Sequence, residues 1–257
     1  MGNFKAPGLD DFPGSFYKSY WSTVQGNINV VVSCFYNGEF SVDSISRTNI
    51  VLIPKIPHPE SMNQFWPISL CNSSIKILSK LLANILKCIL PLLISEHQNA
   101  FVLEGQIQDN LILAHEAYHY LKLKNSKSDH ECALKLDMNK AYDRVEWDFL
   151  EVTMLHFGFD EKWVMTVMRI VSSISFSIQM NGKEGQSFRP TRGLRQGDPL
   201  SPYLFLLVGE VLSKNVMMAV ENNSLKCLKL SANCPGLSYL LFADDSLFFF
   251  KATTHNC

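Results

Sequence analysis

The sequence has no Cys-x-x-Cys pair, no internal repeat, no low-complexity tract and no surplus of either charge. Its seven cysteines (Cys34, Cys71, Cys88, Cys132, Cys227, Cys234 and Cys257) are scattered and odd in number. That argues against a disulfide framework or a zinc knuckle, and for buried thiols of an intracellular protein, nuclear or cytoplasmic. Lys and Arg number 23 against 24 Asp and Glu, a formal charge of −1, which removes the simplest signature of a nucleic-acid or anionic-membrane protein. No membrane partner is expected. The apolar stretch 81–94 is broken by Asn84, Lys87 and Pro91, well short of the roughly 20 clean residues a bilayer needs, and the N-terminus lacks the apolar core of a signal peptide.

What is present is a well-cored chain: 257 residues, 47% hydrophobic, a length at which roughly 70–75% of the unfolded surface can be buried. Charge is uneven by segment. Residues 47–94 carry Arg47, Lys55, Lys76, Lys80 and Lys87 against Glu60 alone, a basic stretch that the overall total conceals. A second cluster, Arg189, Arg192 and Arg195, falls among Pro190, Gly193 and Gly197, which favours a loop over a helix.

Turn formers open the chain, followed by one weakly amphipathic helix over 16–35. Residues 48–55 (TNIVLIPK) read as a strand. Residues 73–93 read as a helix in which Ile77, Lys80/Leu81, Asn84/Ile85 and Cys88 recur at three- and four-residue steps, and 109–124 as another with Leu113, Ala117, Tyr120 and Leu121 on one face. Residues 131–137 (ECALKLD) alternate as a strand with Cys132, Leu134 and Leu136 on one side. Asp143 and Glu146 suggest a capping box before a helix ended by Gly158, and 160–174 form a further helix. Residues 176–189 suit a hairpin around Asn181-Gly182. Asp198 or Ser201 could cap a helix running to about Glu221, and 237–251 form the last element.

The chemistry concentrates in that last element. Asp244 and Asp245 separate two apolar runs, which reads as a hairpin with the acids at its turn; taken alone, it could be an ordinary surface turn. A second apolar strand ends in Asp137. Were the two side by side, three hard oxygen ligands would converge and repel unless cations bound them, and an all-oxygen set favours Mg²⁺. Two such ions roughly 3.5–4 Å apart suit an in-line phosphoryl displacement. A D-x-D phosphatase is disfavoured because position 139 is Asn139. The stretch 192–202 places glycines and Gln196 ahead of a helix, a loop that permits close backbone approach to a ligand.

The blocks LKLDMNKAYDRVEW, GLRQGDPLSPYLF and FADD resemble, in order, the A, B and C motifs of reverse transcriptases, with wording nearest to plant LINE-type (non-LTR) retrotransposons. Upstream, NIVLIPK, FWPISLCNSSIKILSKLLANILK and QNAFVLEGQIQDNLILAHE resemble that family's finger motifs, so the resemblance covers about residues 1–251. It implies an α+β right-hand polymerase fold: fingers over 1–130 and, over 131–257, a palm with an antiparallel sheet packed on helices, incomplete at its C-terminus and without a thumb. The implied activity is RNA-directed DNA polymerisation with two Mg²⁺ (Mn²⁺ as a substitute), an RNA template, a DNA primer and dNTPs. Asp137, Asp244 and Asp245 are the implied catalytic, metal-binding acids, with the Met138 carbonyl as a further metal ligand. Tyr142 matches the steric gate against a ribose 2′-OH, Gln196 and Gly197 the loop against nucleotide and template, and Lys55 the finger strand near the triphosphate.

Four departures stand out. Trp66, Ile85 and Gln106 occupy positions where the family has Arg, each removing a guanidinium that could serve a phosphate or a buried carboxylate. The family's G-P-D-G is Gly8-Leu9-Asp10-Asp11 here. Such drift is expected in a copy that has lost activity and at most binds nucleic acid nonspecifically through residues 47–87 and 189–195.

Overall fold

The computed structural model describes residues 6–95, 98, 107–124, 130–231, 233–243 and 245–252. These form two compact units, each built from two separate stretches of chain: Met1–Ile85 with Tyr142–Ser201, and Leu86–Ala141 with Pro202–Cys257. The two units interleave along the chain.

The first unit opens with α1 (Gly14–Ser19) and α2 (Trp21–Tyr36), where one helix was expected. The chain leaves helical geometry at Tyr20 (φ −111°, ψ 24°), and α2 restarts from the Tyr20 carbonyl, which accepts the amides of Thr23 and Val24. Just before α1, Asp10 accepts the Ser73 amide (2.8 Å) and so caps a helix some sixty residues away, α3 (Ser73–Leu93). Asp11 adopts φ +53°, a left-handed conformation that Asp tolerates better than most residues but Gly adopts without penalty.

Its sheet has the order β2-β1-β4-β5: β1 (Arg47–Pro54), β2 (Phe65–Cys71), β4 (Ser175–Met180) and β5 (Lys183–Phe188). β1 pairs with β4 in parallel and every other pairing is antiparallel. β2 is an edge strand, which accommodates Pro67 without the loss of a ladder bond. The β4–β5 turn is the expected one, with positive φ at both Asn181 (+49°) and Gly182 (+73°). α5 (Trp147–His156) packs on α6 (Glu161–Ser172). α5 buries Leu150 and Met154, and Gly158 (φ +85°) follows its end. The capping box expected at its start does not form: residues 142–144 make a short 3₁₀ turn, Glu146 holds the cap position without a side-chain cap bond, and its carboxylate accepts instead from Arg192. Asp160 does cap α6, accepting the amides of Lys162 and Trp163.

The second unit holds the sheet β3-β7-β6, all antiparallel: β3 (Glu131–Asp137), β6 (Tyr239–Phe242) and β7 (Asp245–Lys251). α4 (Ile107–Leu123) packs on β3 and β6. The cluster beneath comprises Ala114, Ala117, Leu228, Leu237, Leu240 and Phe249. α7 (Ser201–Glu221), and not the stretch 81–94, is by length and composition long and apolar enough to cross a membrane. It buries Leu204, Phe205, Leu206 and Leu207 in the protein, together with Glu210 and Ser213.

Three expected faces are rotated. α3 buries Ile75, Leu78, Leu82, Leu86 and Leu90, while Leu81, Ile85 and Cys88 are exposed. Lys80 and Lys87 fall on the side first taken as apolar, and a charged side chain marks the solvent side more firmly than an apolar one marks the core. On α4, Asn110, Ala114 and Ala117 are buried and Leu113 is exposed. On β3, Leu134 and Leu136 are 43% and 45% exposed, and Ala133 faces the core cluster instead. Nor are the thiols uniformly buried: Cys71 is, whereas Cys88 and Cys234 are exposed.

Candidate active site

In the second unit, the β3–β7 register runs from Glu131 opposite Lys251 to Asp137 opposite Asp245. Directly paired residues in a sheet project to the same face. The fold therefore brings two of the sequence-predicted acids together at one end of the ladder, beside the β6–β7 turn, where Ala243 takes φ +52°. Asp244, the third, lies outside the described residues, and among those described no group of three His, Cys, Asp or Glu side chains could hold a metal ion.

Lys135, two residues before Asp137 and so on its face, was missed from the sequence. Its Nζ lies 3.0 Å from Asp245 Oδ1. The hydrogen bond and charge of Asp245, and more weakly the charge of Asp137, raise the Lys135 pKa and keep the amine protonated. Strand alternation alone would have found it. Both members of the pair are largely exposed (61% and 45% of the side chains), so solvent screens their attraction. The Met138 carbonyl accepts the Ala141 amide (3.1 Å), which uses one of its two lone pairs. As a donor set, two carboxylates and a carbonyl oxygen fit a hard divalent cation.

In the first unit, the glycine-rich loop is tied to the 3₁₀ turn of Tyr142. Gly193 N donates to Val145 O and Leu194 N to Tyr142 O, both at 2.8 Å, and Trp147 Nε1 donates to Gly193 O at 2.8 Å. Only glycine suits position 193: its φ is +98°, and a Cβ would come within 3.0 Å of the Asp143 carbonyl oxygen. These bonds hold Tyr142 and the loop bearing Gln196 and Gly197 (φ +79°) in one assembly. Beside them is a cavity of about 400 Å³ with Ile50, Phe176 and Phe188 as apolar walls and Asp143, Arg192 and Gln196 as polar groups. Lys55 does not line it: its Nζ donates to Asn63 O (2.8 Å) and stands 5.9 Å from the centre of the Trp66 ring.

The arginine cluster of the same loop does something the sequence reading did not anticipate. Arg195, 2% exposed, pairs with Asp198, 4% exposed, at 3.2 Å. Asp198 also accepts Ser79 Oγ and Leu200 N (both 2.9 Å), and Arg195 also donates to Ser46 O. Asp198 thus anchors the loop from inside and does not cap α7. The Arg-x-x-Asp spacing was visible, but nothing in it announced burial. Nearby Cys71 has its thiol pKa raised, chiefly by burial. Arg189 pairs with Asp43, Arg192 with Glu146 and Arg47 with Glu184. Trp66 and Ile85 are 59% and 44% exposed, so an Arg at either position would meet solvent or a ligand and not a buried carboxylate. Gln106 lies outside the described residues.

Comparison with solved structures defines the class. Telomerase from Candida tropicalis, in complex with a fragment of telomeric RNA, superposes with a TM-score of 0.56 over 91% of this chain and 40% of that one, at 13% identity. An apo form of telomerase from the same organism, truncated from its C-terminal domain, gives 0.51 over 93% and 50%, at 14% identity. At such identity the likeness is one of fold alone.

The sequence then sets the family. Residues 53–256 match the family described as reverse transcriptase (RNA-dependent DNA polymerase), and the chain belongs to it. The transposon TX1 149 kDa protein of Xenopus laevis is 28% identical over 211 residues, 82% of this chain and 16% of that protein. The Pol polyprotein of the type-1 retrotransposable element R2 of Nasonia vitripennis is 26% identical over 247 residues, 93% of this chain and 22% of that one. A mitochondrial protein of Arabidopsis thaliana, uncharacterised, is 51% identical over 67 residues, 26% of this chain and 55% of that protein. The chain therefore spans less than a quarter of either transposon relative.

Proposed function

We propose that this chain is the fingers and palm of an RNA-directed DNA polymerase of a non-LTR retrotransposon of plant type, extending a DNA primer on an RNA template with dNTPs. The observation that carries the reading is the register that sets Asp137 opposite Asp245 at the end of an antiparallel ladder, in a chain of the reverse transcriptase family. Asp137, Asp244, Asp245 and the Met138 carbonyl would hold two Mg²⁺ ions, with Mn²⁺ as a substitute. When bound, the metals lower the barrier to attack of the primer 3′-oxygen on the α-phosphate and neutralise charge on the departing pyrophosphate.

The remaining steps belong to the chain's own side chains. Lys135 offsets the mutual repulsion of the acids before metal arrives. Tyr142, fixed by the Leu194 amide on its carbonyl, crowds the sugar 2′ position and so favours deoxynucleotides. Gln196 and Gly197 lie against the nucleotide and template, and Lys55 approaches the triphosphate. The rival reading is a decayed copy binding nucleic acid nonspecifically through residues 47–87 and 189–195; the second stretch supports it less, because Arg189, Arg192 and Arg195 each already hold a carboxylate.

Primer extension decides between them. Primed poly-rA with dTTP and Mg²⁺ is expected to be extended by the wild type and not by Asp137→Asn or Asp244→Asn. No extension by the wild type, with salt-sensitive binding retained, would leave only the decayed copy.

A further inference from the structure

At the other end of the β3–β7 ladder from the acids, the second unit has a cleft of about 730 Å³. Four lysines line it, Lys124, Lys226, Lys229 and Lys251, against the single acid Glu131. In a chain whose charges nearly cancel, this is a local surplus of three. The site is organised from within. Glu131, its side chain 5% exposed, holds Lys124 Nζ at 2.8 Å, and that amine also lies 5.3 Å from the centre of the Tyr120 ring. The Glu131 hydrogen bond is the first cause by which the Lys124 pKa is pushed up to about 12, so the amine stays charged over any working pH. Lys226 and Lys251 are drawn together by the bond from Lys251 N to Lys226 O.

We infer that this cleft binds the phosphodiester backbone of a nucleic-acid strand about six nucleotides from the Asp137–Asp245 end. Glu131 and Asp137 are six residues apart on β3, which at ~3.4 Å per residue is about 20 Å. Phosphates along either strand of a duplex advance about 3.4 Å each along its axis, so a duplex engaged at the acids reaches the lysines after roughly six steps, and a more extended single strand after fewer. The inference rests on the polymerase reading for its ligand and adds a second holding point to it. The strand's source is either duplex already made or template still single.

Anisotropy titrations of labelled RNA–DNA primer–templates distinguish these sources. One arm lengthens the duplex from about 4 to about 10 base pairs, and the other lengthens the template overhang from about 1 to about 10 nucleotides, both across a salt series. The expected result is tighter binding on lengthening in one arm. Lys226→Glu/Lys229→Glu should abolish that gain and lower the slope of log K against log salt by about 1.5–2, the loss of two phosphate contacts. Lys162→Glu/Lys183→Glu, an equal charge change on exposed residues of the first unit, should leave gain and slope unchanged. On the wild type, the long ligand should slow alkylation of Cys227, which also lines the cleft. Should the charge reversal fail to fold, the milder Lys226→Gln/Lys229→Gln is read in its place. No gain in either arm, an unchanged slope, or equal alkylation with long and short ligands overturns the inference. Asp137→Asn should retain the length-dependent gain while losing extension, so failure of the polymerase reading and failure of this cleft register separately.

Discussion

Replacing Asp198 with Asn tests the claim that the glycine-rich loop is anchored by a buried ion pair. In the wild type the carboxylate takes the Arg195 guanidinium, Ser79 Oγ and Leu200 N at 3.2, 2.9 and 2.9 Å. Ser79 and Arg195 share Oδ2 and Leu200 N takes Oδ1, so the NH₂ group of the amide faces either Ser79 and Arg195 together or Leu200 N, donor against donor in both orientations. Arg195 remains 2% exposed with no carboxylate to neutralise it, and its Nε already has no partner. Removing one member of such a pair costs about 3–5 kcal/mol, because the remaining charge stays buried. The measurement is urea unfolding followed by circular dichroism, in which the midpoint should fall at unchanged slope. Asp43→Asn, which breaks the exposed Arg189 pair (66% and 51% exposed side chains), serves as comparison and should cost under about 1 kcal/mol. Arg195→Met/Asp198→Leu removes both charges and should recover most of the loss. A cost for Asp198→Asn below about 1 kcal/mol, or a double variant no more stable than the single one, would refute the reasoning.

Glu210 is 3% exposed on α7 and accepts the Ser95 amide at 3.0 Å, yet burial raises its carboxyl pKa above the usual value. A raised folded pKa means that the folded chain retains the proton longer, so a penalty develops as pH rises from the unfolded value through the folded one. Glu210→Gln should therefore gain stability relative to wild type between acid and neutral pH; a flat or opposite difference in parallel urea titrations would contradict this. Gly193→Ala forces a Cβ against the Asp143 carbonyl at a φ of +98° and should lower the unfolding temperature, by strain on the order of 1–3 kcal/mol, with no shift counting against the tight approach. Lys135→Ala removes the cation beside Asp245 and should lower the Mg²⁺ concentration that half-saturates extension, whereas an unchanged or higher requirement would show that Lys135 does not offset the acids.

Much of the site could be read along the chain because its signals are local. Asn181-Gly182 specified its turn through the positive φ that both residues accept. Asp137, Gln196 and the Asp244-Asp245 pair were marked by the short motifs around them, which survive in a sequence regardless of what they pack against. The side of each element was less legible. α3 is apolar nearly all round, so its periodicity permits more than one face, and only packing selects the row Ile75, Leu78, Leu82, Leu86 and Leu90. β3 alternates cleanly, yet small Ala133 faces the core because Phe249 and the alanines of α4 fill the space opposite, which leaves Leu134 and Leu136 to solvent.

By itself, then, the sequence determined most of the elements, the Asn181-Gly182 turn and the acid that ends β3, but it neither separated α1 from α2 nor marked β2. Those outcomes depend on backbone preference and nearest neighbours in the chain. Tertiary structure alone decided that Asp137 meets Asp245 across a ladder and that Lys135 shares their face. It also decided that Arg195 is the buried partner of Asp198 and not a surface cation, and that four lysines from three stretches of the chain line one cleft. Charge and burial are properties of what surrounds a side chain, and residues more than a hundred positions apart supply those surroundings.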